Sequence, residues 1–484
     1  FWIILFLIMP INMLLETLSI ATVFPLITSI INPNFFNDFP QIFLITNYLN
    51  LNQNPALFLI FLLIFSIIFK NVIFTFYTKY EGKVIFKYQE HLSSKIFSIL
   101  LNKDFLFHLK SKSSDFVAKI KNEVSNVTLI IISVLSILSE LIIVLGIITL
   151  LIIVNPIVFI QILTASFAAI FFFYLLFYKK IKSTGYERLE SELRRQNFLT
   201  EGFNGIRELK IFGTTKKLED NYSRLTKHLA DIHSKYYFYQ RFPKIFLEIL
   251  AIFLILFIGL INFKKIEITL LNEILPIIGL YFAAAYRILP SSNRIMNAFN
   301  QYRYSKPGLK EIDKILNSKK LERKKINQEQ INKFDKLVFE KVNFSYNNLQ
   351  PVLKSLDLEI LKGDKIFISG KTGSGKSTFL NLIMGLLNPS SGKIKINNQI
   401  FTLDEIIKGN LIGYVPQNTH LFDQTLQLNI CLEDDEIKIN KNKLIKCCEL
   451  ACLQEYLEKI QNEIKIFVGE GGQKYQEVSA KGLE

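Results

Sequence analysis

The sequence predicts two halves of different class, an all-α membrane domain of six helices followed by a soluble α/β domain. Two observations carry that reading. Half of the 484 residues are hydrophobic and the mean hydropathy is +0.28, yet 57 Lys and Arg against 42 Asp and Glu leave a formal net charge of +15. These properties are segregated along the chain. No Lys or Arg precedes Lys70, whereas from about Pro307 onward the chain is polar, Lys-rich and regularly punctuated. A disordered chain lacks this much apolar surface, and four cysteines in 484 residues are too sparse for a disulfide scaffold. The chain opens with Phe1 inside an apolar run, so its natural start is expected upstream and no targeting segment is judged.

A bilayer core of ~30 Å needs about 20 apolar helical residues. Six segments meet or approach this: Phe1–Ile31, Pro55–Thr78, Thr128–Val154, Pro156–Tyr178, Ile245–Phe263 and Leu270–Leu289. Backbone amides in lipid must be satisfied within the segment, so each is read as a helix. The connections at 32–54, 155 and 264–269 carry few charges, while 79–127, 179–244 and 290 onward are rich in Lys and Arg. The positive-inside rule places the basic stretches in the cytoplasm, and helices two to five are expected to project far beyond the membrane. Between Gly202 and Gly213 lies a short amphipathic piece, read either as a docking helix for the soluble domain or as a solvated turn.

Ionisable residues within spans are costly and functional by default. Glu16, Glu140, Glu248, Lys70 and Arg287 lie in or against the apolar segments, with Arg294 just beyond Pro290 and Lys244 one turn before Glu248. Lys70 is ~22 Å from the Pro55 end at 1.5 Å per residue. Two readings stand for Lys70, Lys244 and Arg287. They snorkel or pair with the three Glu, or they line a path for an anionic headgroup, for which an Arg fork and two Lys suit a lipid pyrophosphate.

In the soluble half, Gly370-Lys371-Thr372-Gly373-Ser374-Gly375-Lys376-Ser377-Thr378 fits the phosphate-loop pattern G-x-x-x-x-G-K-[ST]. The segment from Asp364 to Ser369 reads as the strand feeding the loop and Phe379 to Met384 as the helix leaving it. The glycines let backbone N–H groups converge on phosphate oxygens at a helix N-terminus. ATP is the expected nucleotide, with Gly370, Thr372, Gly373, Ser374, Gly375 and Thr378 around its phosphates. Lys376 is placed on the β- and γ-phosphates and Ser377 on Mg²⁺. Tyr346, about 25 residues upstream, is placed to stack on adenine.

Val342-Asn343-Phe344-Ser345-Tyr346, the phosphate loop, Ile412-Gly413-Tyr414-Val415-Pro416-Gln417, Leu421 to Thr425 with Asn429-Ile430, and Val468-Gly469-Glu470-Gly471-Gly472 together resemble the ATP-binding-cassette (ABC) transporters. The likeness is to exporters with six helices fused ahead of a P-loop NTPase cassette, and it covers essentially the whole chain. It implies that Gln417 touches Mg²⁺ and senses the γ-phosphate, that the segment at 468–472 contacts the coupling helices, and that two copies enclose each nucleotide. Leu14 to Ile20 and Tyr286 to Ile295 look like the bacterial lipid-linked-oligosaccharide flippases, which turn a polyprenyl-pyrophosphate glycan across the inner membrane. Exporters of other lipids, polysaccharides or peptides share the architecture. The domains expected are a membrane domain over 1–305, a linker over 306–334 and the N-terminal part of a cassette over 335–484.

One departure from the family pattern stands out. Where the family carries L-S-G-G-Q, this chain holds Tyr475 to Glu484; the Asp-Glu strand and the switch His are also absent from the sequence. Those last residues can be encoded TAT CAG GAG GTC AGC GCA AAA GGA TTG GAA. Starting one base earlier, on the final A of the Lys474 codon, the same bases read I-S-G-G-Q-R-K-R-I-G. Two readings stand, a single-base frameshift, real in the gene or introduced in sequencing, and a divergent natural C-terminus; the frameshift is the expectation, and the gene sequence around codons 470–484 decides it. On the chain as given, the rival expectation is a protein that binds ATP without hydrolysing it. Cys431, Cys447, Cys448 and Cys452 fit no common metal motif and are read as reduced thiols. The basic balance is assigned to positive-inside topology and anionic lipid, with no nucleic-acid partner expected.

Overall fold

The computed structural model describes residues 2–31, 55–154, 156–262, 271–318, 334–347, 351–400, 411–417, 420–432 and 439–451. Within these, residues 55–56, 157–159, 161–170, 172–174, 247, 250–275 and 277–278 are described by backbone alone. The chain divides into two units, Phe1–Ile326 and Asn327–Glu484.

The first unit is helical. Its elements are α1 (Trp2–Ala21), α2 (Val23–Ile31), α3 (Pro55–Leu101), α4 (Phe105–Lys110), α5 (Ser113–Ala118), a π-helical turn (Lys119–Glu123), α6 (Val124–Val154), α7 (Pro156–Asn204), α8 (Ile206–Ile211), α9 (Thr215–Asn262) and α10 (Leu271–Asn317). Among the described residues, all six apolar segments fall on helices. The first is divided at Thr22, because Pro25 has no N–H for the Ala21 carbonyl and its ring crowds that position. Helices α3, α7, α9 and α10 have 47, 49, 48 and 47 residues. At 1.5 Å per residue each is about 70 Å long, more than twice the hydrocarbon thickness, so they extend well past the membrane. Among the residues described with side chains, three stretches are long and apolar enough to cross a bilayer: Trp2–Ile31, Leu57–Leu101 and Ser113–Val154.

Packing fixes the helix directions. Leu5 and Met9 of α1 are buried with Tyr77, Val84 and Ile85 of α3, while Glu16 meets Lys70, so α1 and α3 run antiparallel. Gly146 of α6 permits close approach of α1: a Cβ there would lie 2.6 Å from Met13 Cγ and from Thr17 Cγ2. Around it Ile20, Ile143, Ile147, Leu151, Leu280 and Ala284 form one buried cluster. A second, beyond the membrane, joins Leu92, Ile96 and Leu100 of α3 to Val124, Val127, Ile312 and Ile315. The opposite face of α3 is a ridge of exposed aromatics, with Phe61–Phe65 and Phe65–Phe69 ring centroids 6.5 and 5.9 Å apart. Lipid covers such a ridge in a membrane helix.

The second unit is a partial cassette around a small sheet. Strands β1 (Lys336–Phe344), β2 (Leu353–Leu361), β3 (Ser391–Ile396) and β4 (Gln399–Ile400) lie in the order β2-β1-β3-β4, every pair antiparallel. Leu337, Phe339, Val342 and Phe344 alternate onto one buried face, and Phe339 packs its ring 5.2 Å from that of Phe379 on α11 (Lys376–Ile383). Asn397 and Asn398 take the positive φ of a two-residue hairpin turn. Helices α12 (Leu426–Cys431) and α13 (Lys441–Leu450) complete the described elements.

One expectation is corrected. Residues 364–369 form no strand. A strand exists only through its neighbours, and a parallel central strand is ordinarily buried on both faces. Here Phe367 is 90% exposed and Val415, of the nearby irregular stretch 411–417, is 92% exposed, so both apolar segments lack the ladder that their composition anticipates.

Candidate functional site

The phosphate loop is built by chirality and helix ends. Gly373 and Gly375 adopt φ of 85° and 90°, a region closed to most L-residues. A Cβ on Gly375 would also press on Val352 Cγ1 at 3.0 Å and Leu353 Cδ2 at 3.2 Å. The chain then turns directly into α11, whose first residue is Lys376. The first N–H groups of that helix have no intrahelical acceptors and carry the positive end of its dipole, which is the requirement for binding a phosphate. Lys376 Nζ donates to the carbonyls of Gly370 (2.8 Å) and Lys371 (3.0 Å), so the ammonium folds back across the loop. Ser377 is exposed at the second helical position, leaving its hydroxyl available to a hard cation. Thr378 is buried and shares a hydrogen bond of 3.0 Å with the Tyr346 hydroxyl. Tyr346 stands edge-on to Phe344 at 5.0 Å, which anchors it beside the start of α11. Thr372 and Ser374 are exposed along the loop, and Gln417 is exposed in the stretch 411–417. After Gln417, Asn429 ties the loop to α12. Its Oδ1 accepts from Phe422 N at 2.8 Å, and its Nδ2 donates to Phe422 O and Thr425 O at 3.0 and 3.1 Å. The Val468 to Gly472 segment and the residues after it lie outside the described residues.

A second polar centre sits in the membrane helices. Glu16 of α1 receives Lys70 Nζ of α3 at 3.0 Å and Arg287 Nε of α10 at 2.5 Å. Glu140 of α6 receives Arg294 Nε at 3.0 Å, with Arg287 Nη1 at 3.7 Å. Arg287 Nη1 also donates to Ser291 Oγ at 3.2 Å. The Glu16 and Glu140 side chains are 10% and 8% exposed, so buried carboxylates from two helices gather three cations from two others, Lys70 and Arg287 largely buried and Arg294 half-exposed. Lys70 is eight residues before Thr78, about 12 Å inside the cytoplasmic end of its apolar segment. Of the three cations singled out from sequence, Lys70 and Arg287 therefore meet. Lys244 does not join them; it lies 3.7 Å from Glu248, each side chain 58% exposed. Arg294 and Ser291 belong to the cluster instead, a membership that depends on how α6 and α10 cross.

Beyond the membrane a third set of largely buried groups joins five elements, and sequence reading missed it. Glu123, in the π turn, lies 3.3 Å from Arg188 Nη2 of α7 and accepts from Asn126 Nδ2 at 3.2 Å. The Arg188 guanidinium stands 5.3 Å from the Tyr304 ring of α10. That ring stacks on Tyr236 of α9 with centroids 3.8 Å apart, and its hydroxyl shares a 3.1 Å hydrogen bond with His233 Nδ1. Burial pushes the Tyr304 phenol up to about 12, keeping it neutral. The amphipathic piece at 202–213 forms α8, bounded by Gly205 and by Gly213 at φ 66°. Phe203, Ile211 and Phe212 stand exposed around it, an apolar tip at the end of the α7–α9 hairpin.

A bundle of membrane-length helices fused to a phosphate-loop unit defines a nucleotide-dependent membrane transporter, and the comparisons make the class specific. The family model of the ABC transporter transmembrane region matches residues 7–271, and the model described as ABC transporter matches residues 353–474. The chain belongs to the ABC transporters. It is 28% identical over 265 residues to a probable ABC transporter ATP-binding/permease protein of Haemophilus influenzae, covering 51% of this chain and 44% of that one. To a putative export ATP-binding/permease protein of Rickettsia bellii it is 25% identical over 425 residues, 84% of this chain and 72% of the other. An ATP-dependent lipid A-core flippase of Pasteurella multocida is 31% identical over 140 residues, 28% of this chain and 24% of its own length. The structure of a bacterial Atm1-family ABC exporter with ATP bound superposes with a TM-score of 0.69 at 16% identity, covering 96% of this chain and 80% of that one. The fold is thus the exporter fold, a helical membrane domain joined to a partial ABC cassette.

Proposed function

We propose that the chain is one half of a homodimeric exporter that moves a lipid-linked oligosaccharide, or a similar lipid–glycan, between leaflets of a bacterial inner membrane. ATP bound at the phosphate loop supplies the free energy. In this reading Gly370, Thr372, Gly373, Ser374, Gly375 and Thr378 cradle its phosphates through loop and helix N–H groups. Lys376 turns from the loop carbonyls to the β- and γ-phosphates, Ser377 and Gln417 hold Mg²⁺ through oxygen, and Tyr346 faces the adenine. Closure of two cassettes on ATP drives the change in the membrane helices.

The observation that carries the cargo assignment is the cluster of Lys70, Arg287 and Arg294 on Glu16 and Glu140, with Lys70 about 12 Å inside its apolar segment. Cations at that depth are expensive, and an anionic headgroup is the ligand that offsets their cost. Lys244 has a different place in this reading, just before the apolar part of α9 that begins at Ile245, where an arriving headgroup meets it first. The relative named for lipid A-core flipping supports a lipid cargo, and the one named for export supports transport out of the cytoplasm. In proteoliposomes, a fluorescent lipid-linked oligosaccharide should move with ATP and stall with Lys376→Ala. Equal transport of an uncharged lipid would point to a general lipid, drug or peptide exporter.

A second reading has the chain bind ATP without hydrolysing it, and the exposure of Phe367 and Val415 in the cassette favours it. Nucleotide retention without phosphate release by the purified chain is its signature.

A further inference from the structure

The membrane cluster is unbalanced in a way that specifies the charge of what it takes. Lys70, Arg287 and Arg294 bring three positive charges and Glu16 and Glu140 two negative ones, so one formal positive charge is left over. Donors are left over as well. An ammonium has three and a guanidinium five, more than two carboxylates and the Ser291 hydroxyl occupy. One buried polar group adds to them. Neither amide atom of Asn12 has a hydrogen-bond partner among the described residues, although Asn12 is 4% exposed. Asn12 stands one turn before Glu16 on α1, on the same helical face. A salt-bridge network that served structure alone would gain nothing from a surplus charge.

We propose that Glu16 and Glu140 are built-in counter-ions that set the cluster to accept a headgroup with a single negative charge, a phosphate diester rather than a pyrophosphate diester. This rests on the reading of the cluster as a headgroup site and narrows its substrate class. A phosphodiester oxygen pair takes the spare Arg and Lys donors and brings the cluster to neutrality, with the Asn12 amide as a further donor. A pyrophosphate diester brings two charges and leaves the buried site net negative, which low-dielectric surroundings penalise steeply.

The test uses the full chain in neutral detergent and three synthetic lipids with one polyprenyl tail and one sugar, joined by a phosphate, by a pyrophosphate or by an uncharged ether. Native mass spectrometry reads their retention in competition. The unaltered chain should hold the phosphate-linked lipid at least tenfold over the pyrophosphate-linked one. Glu16→Gln, which raises the leftover charge to two, should shift the ratio at least tenfold toward pyrophosphate. Glu140→Gln should do the same and serves where Glu16→Gln does not fold by gel filtration. Arg294→Gln, which cancels the leftover charge, should weaken the phosphate-linked lipid at least tenfold. Preference of the unaltered chain for pyrophosphate, or a ratio unmoved by either Gln variant, overturns the charge assignment while leaving a headgroup site. Retention of the uncharged lipid as strong as both anions, unchanged by Arg287→Ala, overturns the headgroup site itself.

Discussion

The junction of Glu123, Arg188 and Gly308 makes a prediction whose sign and size both follow from the geometry. Glu123 and Arg188 side chains are 2% and 5% exposed and 3.3 Å apart. Removing one member of such a buried pair leaves the other charge uncompensated, so Glu123→Ala should cost about 3–5 kcal/mol. Gly308 on α10 lies against the same carboxylate: a Cβ there would come 1.9 Å from Glu123 Oε2 and 3.1 Å from its Cδ. The carboxylate cannot swing aside without leaving Arg188. Gly308→Ala should therefore cost about 1–3 kcal/mol as an overpacked site. The two penalties share a cause, because deleting the carboxylate also removes what the new methyl strikes. The double variant should be more stable than additivity allows, by about 1–2 kcal/mol. Denaturant unfolding in micelles, followed by far-UV circular dichroism, measures all four proteins. A cost below about 1 kcal/mol for Glu123→Ala, or strict additivity in the double variant, would refute the buried-pair reasoning.

Further outcomes are expected elsewhere. Lys376→Ala should lower ATP retention at least tenfold with little change in unfolding, since its side chain bonds only to exposed loop carbonyls; filter binding and thermal melts separate the two. Tyr346→Phe removes the bond to Thr378 and should cost about 1 kcal/mol of cassette stability while sparing nucleotide binding, whereas Tyr346→Ala should lose both. Asn429→Ala unties residues 422–425 from α12 and should speed hydrogen exchange across them, measured by mass spectrometry. Gly146→Val should destabilise the membrane domain by about 1–3 kcal/mol, because its Cβ meets Met13 and Thr17 of α1; micellar unfolding reads the loss.

Local chemistry was legible in the sequence and long-range pairing was not. The bilayer dictates helices over the apolar segments, and Gly373, Gly375 and Lys376 carry their conformation in a few neighbouring residues. Residues 364–369 show the limit: their composition suits a strand, but a ladder needs partners that no local pattern supplies. Charges inside spans announce themselves by their cost, so Glu16, Glu140, Lys70 and Arg287 were visible one by one. Which carboxylate meets which cation depends on how α1, α3, α6 and α10 cross, and that crossing set Arg294 in the cluster and Lys244 apart from it. Glu123 and Arg188 gave no signal, because they sit in charged stretches that look like ordinary solvated helix faces.

The two buried charge centres differ in what they leave over, and the difference separates structure from recognition. Glu123 and Arg188 match one to one, and the guanidinium also rests on Tyr304, so that centre has no charge to offer a ligand. Its energy goes into holding the π turn, α7 and α10 in one register where the long helices leave the membrane. The membrane cluster holds three cations against two carboxylates, with the unpartnered Asn12 amide one turn from Glu16. A surplus charge in hydrocarbon raises the energy of the unliganded protein, and an anion that neutralises it recovers that energy on binding. If the surplus were merely structural, replacing Lys70 by Met would stabilise the membrane domain without a penalty in cargo retention. The arrangement instead predicts that Lys70→Met is neutral or stabilising in micellar unfolding and weakens anionic-lipid retention at least tenfold.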